Sequence, residues 1–280
     1  MNPTRRAGGR VGRWIADRWV LGLGLLVLGY LLLPVAVIVG LSFNRPSSRL
    51  SYDFDTFTLE NWADPCGPAG ICASLARSLQ IAVVSTVLAT VLGTLMAFAL
   101  ARHRFRGRTA VGVLVFLPMA TPEVVLASSL LALFAATRVP LGFWTVVVAH
   151  VMFCVSFVVV TVRARLARLD PRLSEAAADL YATPWQTFRR VTLPLAMPGI
   201  VAAALLAFSL SFDDFIVTNF NSGTMTTFPM YVWGAAQRGI PPQVNVIGTA
   251  MFGLALLLVL ATTLHRPGSR RISSEADRRR

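Results

Sequence analysis

Long apolar segments alternate with short polar ones along the whole chain. A helix that crosses a bilayer needs about 20 mostly apolar residues. Six segments reach that length, at roughly Val20–Leu41, Ser74–Ala101, Thr109–Ala136, Phe143–Val162, Pro198–Thr218 and Val244–Leu264. The first is longer than the apolar part of a signal peptide, and no A-x-A cleavage site follows it. The pattern predicts an all-α integral membrane protein with six transmembrane helices, the first of them uncleaved.

The positions of the arginines predict how the chain is oriented in the membrane. Twenty-one of the 26 basic residues, all of them arginine, lie in four segments on one side. These are an N-terminal tail at 1–19, "RHRFRGR" after the second span, a long loop at 163–197 and a C-terminal tail at 265–280. Because cytoplasmic segments carry the excess of arginine, we expect both termini to be cytoplasmic and residues 20–264 to form the membrane domain.

The composition separates this chain from soluble proteins. Hydrophobic residues make up 55% of it and charged residues only 14%, against about 25% charged residues in soluble domains. The net charge of +13 is accounted for by membrane orientation, which disfavours nucleic-acid binding. We expect the polar C-terminal tail to be disordered or to lie along anionic lipid.

Motifs for catalysis are not found in the sequence. It contains no phosphate-binding G-x-x-x-x-G-K-[ST], no G-x-S-x-G and no H-E-x-x-H, and His103, His150 and His265 are too scattered to propose a metal site. Any ATP-driven step therefore needs another chain. Cys154, in the middle of a span, is interpreted as a small buried apolar residue. Cys66 and Cys72 lie in an outer loop, where a disulfide and two free thiols are equally compatible with the sequence.

The loop at 163–197 predicts two short helices. Asp170 followed by Pro171 is a helix N-cap with proline in the first turn, and we expect this helix to run to about Tyr181. Thr183 and Gln186 have the spacing of a capping box, which predicts the start of a second helix.

Proline and alanine residues suggest the purpose of this loop. Pro194 and Pro198 are expected to mark the end of the second short helix and the start of the next span. Ala176, Ala177 and Ala178 give the first helix a smooth surface that a partner can approach closely. The loop is thus a candidate docking element, and the alternative is simply a well-folded connection.

The stretch "EAAADLYATPWQTFRRVTLPLAMP" resembles the EAA loop of the permease subunits of bacterial ABC importers. The residues in register with that motif are Glu175, Ala176, Ala177, Val191, Leu193 and Pro194. The resemblance implies a type I importer permease fold whose cytoplasmic coupling hairpin inserts into a separate ATPase. The family's glycine is replaced by Tyr181, which would cost about 1–2 kcal/mol in the left-handed conformation of that turn. Either the turn differs here or the ATPase is adapted to it.

Three further stretches are similar to the second permease chain of spermidine/putrescine importers. They are "LPMATPEVVLASSLLALF", "LAMPGIVAAALLAFSLSFDDFIVTNF" and "GIPPQVNVIGT". The resemblance implies a bacterial plasma-membrane transport subunit, not an enzyme, that binds no cofactor itself. Its implied partners are an ATPase dimer carrying ATP and Mg²⁺, a second permease and an extracytoplasmic binding protein. Related permeases carry ferric iron or other solutes, and these remain alternatives to a polyamine.

Three carboxylates fall within the apolar segments: Glu123, Asp213 and Asp214. An ionised side chain at mid-bilayer costs about 2.5–3.5 kcal/mol, so such residues usually face a cavity or a partner. Either they attract a cationic substrate, or the aspartates lie hydrated at the outer interface and first-turn amides satisfy Glu123. Because Glu123 follows Thr121–Pro122, we expect the third span to be broken near Pro118–Pro122.

Helical geometry separates the two aspartates. Small residues recur every four positions before them, at Gly199, Ala203, Ala207 and Ser211, which predicts a closely packed helix face. At 100° per residue Asp214 falls near that face and Asp213 on the opposite side. An autonomous channel, a secondary transporter or a membrane enzyme are rival functions. The docking loop disfavours the first two, and the missing catalytic constellation disfavours the third.

Overall fold

The computed structural model describes residues 8–48 and 53–264, and most of these are helical. The elements in chain order are α1 Gly8–Ser42, β1 Asn44–Arg45, β2 Thr56–Phe57, α2 Glu60–Ala63, α3 Ile71–Arg102, α4 Arg108–Ala120, α5 Glu123–Ala136, α6 Phe143–Leu166, α7 Arg172–Asp179, α8 Pro184–Thr187, a π-helical turn Phe188–Thr192, α9 Leu193–Phe212, α10 Ile216–Asn221, α11 Phe228–Ala236 and α12 Pro242–Leu264. The predicted all-α architecture is confirmed. The expectation of a disordered or lipid-bound C-terminal tail lies outside the described residues.

The described residues form two compact units, one from the segments 8–69 and 237–264 and the other of residues 70–236. In the first, α1 packs on α12, and β1 pairs antiparallel with β2, Asn44 opposite Phe57. The Asn61 amide donates to the carbonyls of Ser42 and Asn44 and fixes this hairpin. The described part of α1 leaves its apolar side chains exposed almost throughout, as a helix that faces lipid or a protein partner would.

The second unit is built on three helices, α3, α6 and α9, that pack against one another. The predicted small-residue face of α9 is confirmed, because Gly199, Ala203, Ala207 and Ser211 are all buried. At Gly199 an added Cβ would come within 2.5 Å of the Arg165 Cβ on α6. Only glycine allows the two backbones to come this close.

Four described helices are long and apolar enough to cross a membrane, at Arg18–Ser42, Ile71–Arg102, Phe143–Leu166 and Pro184–Phe212. The pair α4 and α5 makes a fifth candidate, bent by 106°. The predicted break in the third span is therefore confirmed. The last apolar helix is shorter, over Pro242–Leu257. All six apolar segments are helical, but length and composition support four or five spans where the sequence predicted six.

The structure corrects the boundaries of the fifth segment. It ends at Phe212 rather than Thr218, because the chain turns before α10 begins. Its start is also wrong in the prediction: the helix runs unbroken from Pro184, through Pro194 and Pro198. In the π turn ahead of Pro194, the N–H of Leu193 bonds to the carbonyl of Phe188. This wider turn relieves the i−4 carbonyl that a proline would obstruct.

Candidate functional site

The segment between α9 and α10, Asp213–Phe215, is named here the α9–α10 corner. Asp213 follows the last residue of α9, and its N–H still bonds to the carbonyl of Ser209. The side chain of Asp214 caps the first turn of α10. Its Oδ1 accepts from the N–H of Val217 at 3.3 Å, and its Oδ2 accepts from the N–H of Thr218 at 2.7 Å and from the Thr218 hydroxyl at 2.8 Å. A short acidic side chain suits this capping geometry.

A histidine from α6 completes this arrangement. His150 Nε2 lies 3.2 Å from Asp214 Oδ2 and 3.0 Å from the Thr218 hydroxyl, and Nδ1 lies 2.7 Å from the Ser211 hydroxyl. All four side chains are buried. Buried polar groups of this kind are stable only when their hydrogen bonds are satisfied. Asp214 is thus committed to protein partners.

The other two predicted carboxylates are more open. Asp213 is exposed, and Glu123 is half-buried at the first residue of α5. The Glu123 carboxyl lies close enough to Asp213, Asp214 and His150 for their charges to act on it. The structure therefore brings Glu123, Asp213 and Asp214 into one region but gives them different surroundings. Asp213 and Glu123 are at least partly open to solvent, and Asp214 supports the corner.

Sequence reasoning missed His150, which it treated as one of three scattered histidines. One signal was available, because an ionisable residue in the middle of an apolar span marks a functional or paired position. Its partners lie 61 to 68 residues away along the chain, so only the fold brings them together. Cys154, in contrast, is a fully buried free cysteine as predicted.

The EAA loop, residues 163–197, has the predicted helix starts. Asp170 Oδ1 accepts from the N–H of Arg172 at 2.9 Å. The capping box is confirmed, with Thr183 N–H donating to Gln186 Oε1 at 2.8 Å and Gln186 N–H to the Thr183 hydroxyl at 3.3 Å. The first helix ends at Asp179, not at Tyr181. The second is not a separate helix, because it continues into α9.

Tyr181 occupies the left-handed position between α7 and α8, with φ +57°. Its N–H bonds to the carbonyl of Ala178, and the N–H of Ala182 bonds to the carbonyl of Ala177. This pair of bonds is a Schellman motif, in which the central residue is usually glycine. Tyr181 therefore adopts the left-handed conformation that a glycine would suit at this position.

The surface of this loop differs from the one predicted. Ala177 packs inward and is buried, so the alanines do not form one smooth outer face, whereas Glu175 and Ala176 are exposed. The largest exposed apolar side chains are Leu180, Tyr181 and Trp185. The remaining motif residues are half-buried at Val191 and Leu193 and exposed at Pro194. An exposed apolar cluster on a structured loop is typical of an interaction surface.

Arg102, at the end of α3, joins the two parts of this loop. Its guanidinium donates to the hydroxyl of Ser174 on α7 and to that of Thr192 in the π turn, both at 3.3 Å. One turn earlier, Phe98 makes an edge contact with Phe188. The sequence indicated Arg102 only as an orientation signal. The structure adds a contact between a membrane helix and the candidate docking loop.

Cys66 and Cys72, just before and at the start of α3, are joined as a disulfide in the structure. Its formation in cells stays a prediction, because the sequence left free thiols equally open.

Several apolar helices, among them a bent pair with a carboxylate at its break, indicate a multi-pass membrane protein. The chain belongs to the family of binding-protein-dependent transport system inner membrane components, whose family model matches residues 89–268. The family resemblance seen in the sequence is thereby confirmed.

Individual relatives support the assignment to this family. The spermidine/putrescine transport system permease protein PotC of Escherichia coli K12 is 37% identical over 239 residues, 85% of this chain and 90% of that protein. The putrescine transport system permease protein PotI of the same strain is 35% identical over 248 residues, 85% and 87% of the two chains. These relatives are transport components, which confirms a transport subunit rather than an enzyme.

Solved structures show the same fold. A bacterial ABC transporter involved in alginate import superposes with a TM-score of 0.66 at 16% identity, over 95% of this chain and all of that one. The same kind of transporter, solved in complex with an alginate pentasaccharide-bound periplasmic protein, gives a TM-score of 0.65 over 92% and 95% of the two chains.

Proposed function

We propose that this chain is one permease subunit of an ATP-driven importer for polyamines such as spermidine and putrescine. The observation that carries the proposal is the 37% identity over 85% of the chain to a spermidine/putrescine permease. The chain forms half of the translocation path, and a second permease forms the other half.

The accessible carboxylates support a cationic substrate. A polyamine carries several ammonium groups on a flexible apolar chain, and each group loses hydration when it enters the membrane domain. Asp213 is exposed and Glu123 is half-buried, so both can offset that loss. Asp214 is hydrogen-bonded to His150 and Thr218 and adds negative charge to the same region from its buried position. Fixed acids inside a membrane domain generally mark an ion or substrate pathway.

The EAA loop is the proposed contact with the ATPase. Residues Glu175 to Pro194 insert into a groove of that partner, with Leu180, Tyr181 and Trp185 presented outward. ATP and Mg²⁺ belong to the ATPase dimer. ATP binding closes the dimer, and the loop transmits this movement to α3 and α9, so that the path opens alternately to the two sides of the membrane.

In this proposal the membrane domain has six spans. They are α1, α3, the bent pair α4–α5, α6, the helix that ends at Phe212, and α12. Both termini and the EAA loop face the cytoplasm. An extracytoplasmic binding protein delivers the polyamine from the other side, in the bacterial plasma membrane.

Uptake of labelled spermidine, in cells that lack this subunit, tests the proposal. Wild type should restore ATP-dependent uptake. Asp213→Asn should raise KM about tenfold, the equivalent of one lost charge contact, with the complex still assembled. Glu175→Ala should lower the maximal rate and leave KM nearly unchanged, because it alters coupling and not substrate contact.

Two results would change the assignment. If wild type restores no polyamine uptake but restores uptake of another solute such as ferric iron, the importer class stands and the substrate is wrong. If uptake persists without the ATPase, the chain is an autonomous channel or secondary transporter.

A further inference from the structure

A single imidazole contacts both helices that meet at the α9–α10 corner. On one side His150 reaches Ser211, in the last turn of α9, at 2.7 Å. On the other side it reaches Thr218, in the first turn of α10, at 3.0 Å. Asp214 lies between them, 3.2 Å from Nε2. The angle between the two helices is therefore fixed from α6 by one side chain.

The hydrogen positions follow from the chemistry of these groups. A carboxylate only accepts hydrogen bonds, so Nε2 carries the hydrogen that faces Asp214, and in the neutral ring Nδ1 accepts from the Ser211 hydroxyl. Both Asp214 oxygens are then engaged, Oδ1 by Val217 and Oδ2 by Thr218 and His150. An incoming ammonium group would have to displace these bonds.

The Asp213 carboxylate is not held by side-chain hydrogen bonds of this kind. Asp213 is exposed, and in the described part of the chain its carboxylate has no hydrogen bond or ion pair with another side chain. The direction of the Asp213 side chain is set by the backbone of the corner. The N–H of Asp213 donates to the carbonyl of Ser209, and the next residue along the chain is Asp214. Whatever fixes the corner therefore fixes the position of the Asp213 carboxylate.

We propose that His150 is a positioning residue for transport: it clamps the α9–α10 corner through Ser211, Asp214 and Thr218, and so directs the carboxylate of Asp213 toward the cationic substrate. This deepens the proposed function and rests on it. Of the two neighbouring aspartates, Asp214 belongs to the clamp and Asp213 meets the substrate.

A double-mutant cycle in the assembled transporter tests the inference. KM and maximal rate of spermidine uptake are measured for wild type, His150→Ala, Asp213→Asn and the double variant. His150→Ala should raise KM about tenfold, as for one lost charge contact. Because both substitutions act on the same contact, the double variant should show no higher KM than the stronger single variant.

Cys154→Ala is the matched control. Cys154 lies one helical turn from His150 on the same helix, is equally buried, and its Sγ contacts the carbonyl of Ala207 on α9 at 3.6 Å. This substitution disturbs the packing of α6 on α9 without touching the corner. It should leave KM at the wild-type value even if it lowers the amount of assembled complex.

Conservative variants separate the two faces of the imidazole. Gln at position 150 places its amide near the former Nε2, and Asn places it near the former Nδ1. His150→Gln should therefore keep KM within about threefold of wild type, below His150→Asn. This pair also decides the question if His150→Ala does not assemble, and equal KM values for the two would overturn the clamp.

The outcomes separate the two proposals. If wild type imports spermidine but His150→Ala lowers only the maximal rate or the yield of complex, His150 is structural and the inference is wrong. The same holds if the KM effects of His150→Ala and Asp213→Asn multiply. If wild type imports no polyamine, the proposed function fails, and the inference fails with it.

Discussion

The backbone of Tyr181 is strained, and the strain is measurable at this one residue. A side chain in the left-handed region costs about 1–2 kcal/mol relative to glycine, and Tyr181 has φ +57° with its ring almost fully exposed. Tyr181→Gly should therefore stabilise the turn between α7 and α8 by about 1 kcal/mol. Amide exchange at Ala182, whose N–H closes the Schellman motif, should slow about fivefold in hydrogen-exchange measurements.

Tyr181→Ala is the control for this prediction. It removes the same ring but keeps a Cβ in the left-handed conformation, so its exchange should stay close to that of wild type. Equal slowing in the Gly and Ala variants would show that the ring, and not the backbone, is responsible. If Tyr181→Gly slows exchange but also weakens the ATPase interaction, the exposed ring is retained for docking at the expense of local stability.

At the scale of single residues, the sequence predicts some features of the site, and others become visible only in the folded structure. Asp214 is buried and Asp213 is exposed, as the helical projection expected, although that projection assumed a helix through Thr218 and both residues lie beyond its end at Phe212. The projection does not show that Asp214 caps α10, since the sequence gives no sign that the helix stops at Phe212. The bonds of His150 join residues more than 60 positions apart, and no local pattern records such pairs.

The helix α3 contacts both the other helices of its unit and the EAA loop. Arg102 makes two hydrogen bonds into that loop, to Ser174 and to Thr192. Arg102→Ala removes both, at a cost of about 1 kcal/mol at this exposed position. Movements of the EAA loop should then be coupled less strongly to α3. We expect uptake to fall roughly fivefold, while the purified complex still hydrolyses ATP but responds less to the loaded binding protein.

Arg104→Ala is the matched variant for this prediction. It removes the same charge from the same segment, and Arg104 is exposed without a hydrogen bond or ion pair in the described part of the chain. It should leave both uptake and stimulated ATP hydrolysis near the wild-type level. Equal losses in the two variants would show that charge in this segment matters and the hydrogen bonds do not.

Element boundaries were predicted well where a cap defines them and poorly where a proline was taken as a stop. The capping box at Thr183 and the break at Thr121–Pro122 are both found, because each depends on neighbouring residues. Neither Pro194 nor Pro198 ends a helix, and the π turn ahead of Pro194 relieves the carbonyl that this proline would obstruct. Within this π turn Phe188 makes an edge contact with Phe98 of α3, a long-range contact that the local sequence does not reveal.

For the whole molecule, the bent pair α4–α5 decides the topology. A pair bent by 106° can cross the membrane once as a broken span or return to the same side as a re-entrant loop. If it returns, every later segment changes side, and the EAA loop with its six arginines would face outward. Cytoplasmic segments carry the excess of arginine, so we predict that the pair crosses.

Reporter fusions on either side of the pair test this directly. A reporter active only outside the cytoplasm should be inactive after Gly107 and active after Pro140, and a cytoplasmic reporter should give the opposite pattern. A fusion after Ala182 should again report the cytoplasm. Activity of the same reporter after both Gly107 and Pro140 would establish the re-entrant form. The EAA loop could then reach a cytoplasmic ATPase only if the N-terminal tail were outside, against the distribution of arginine along the entire chain.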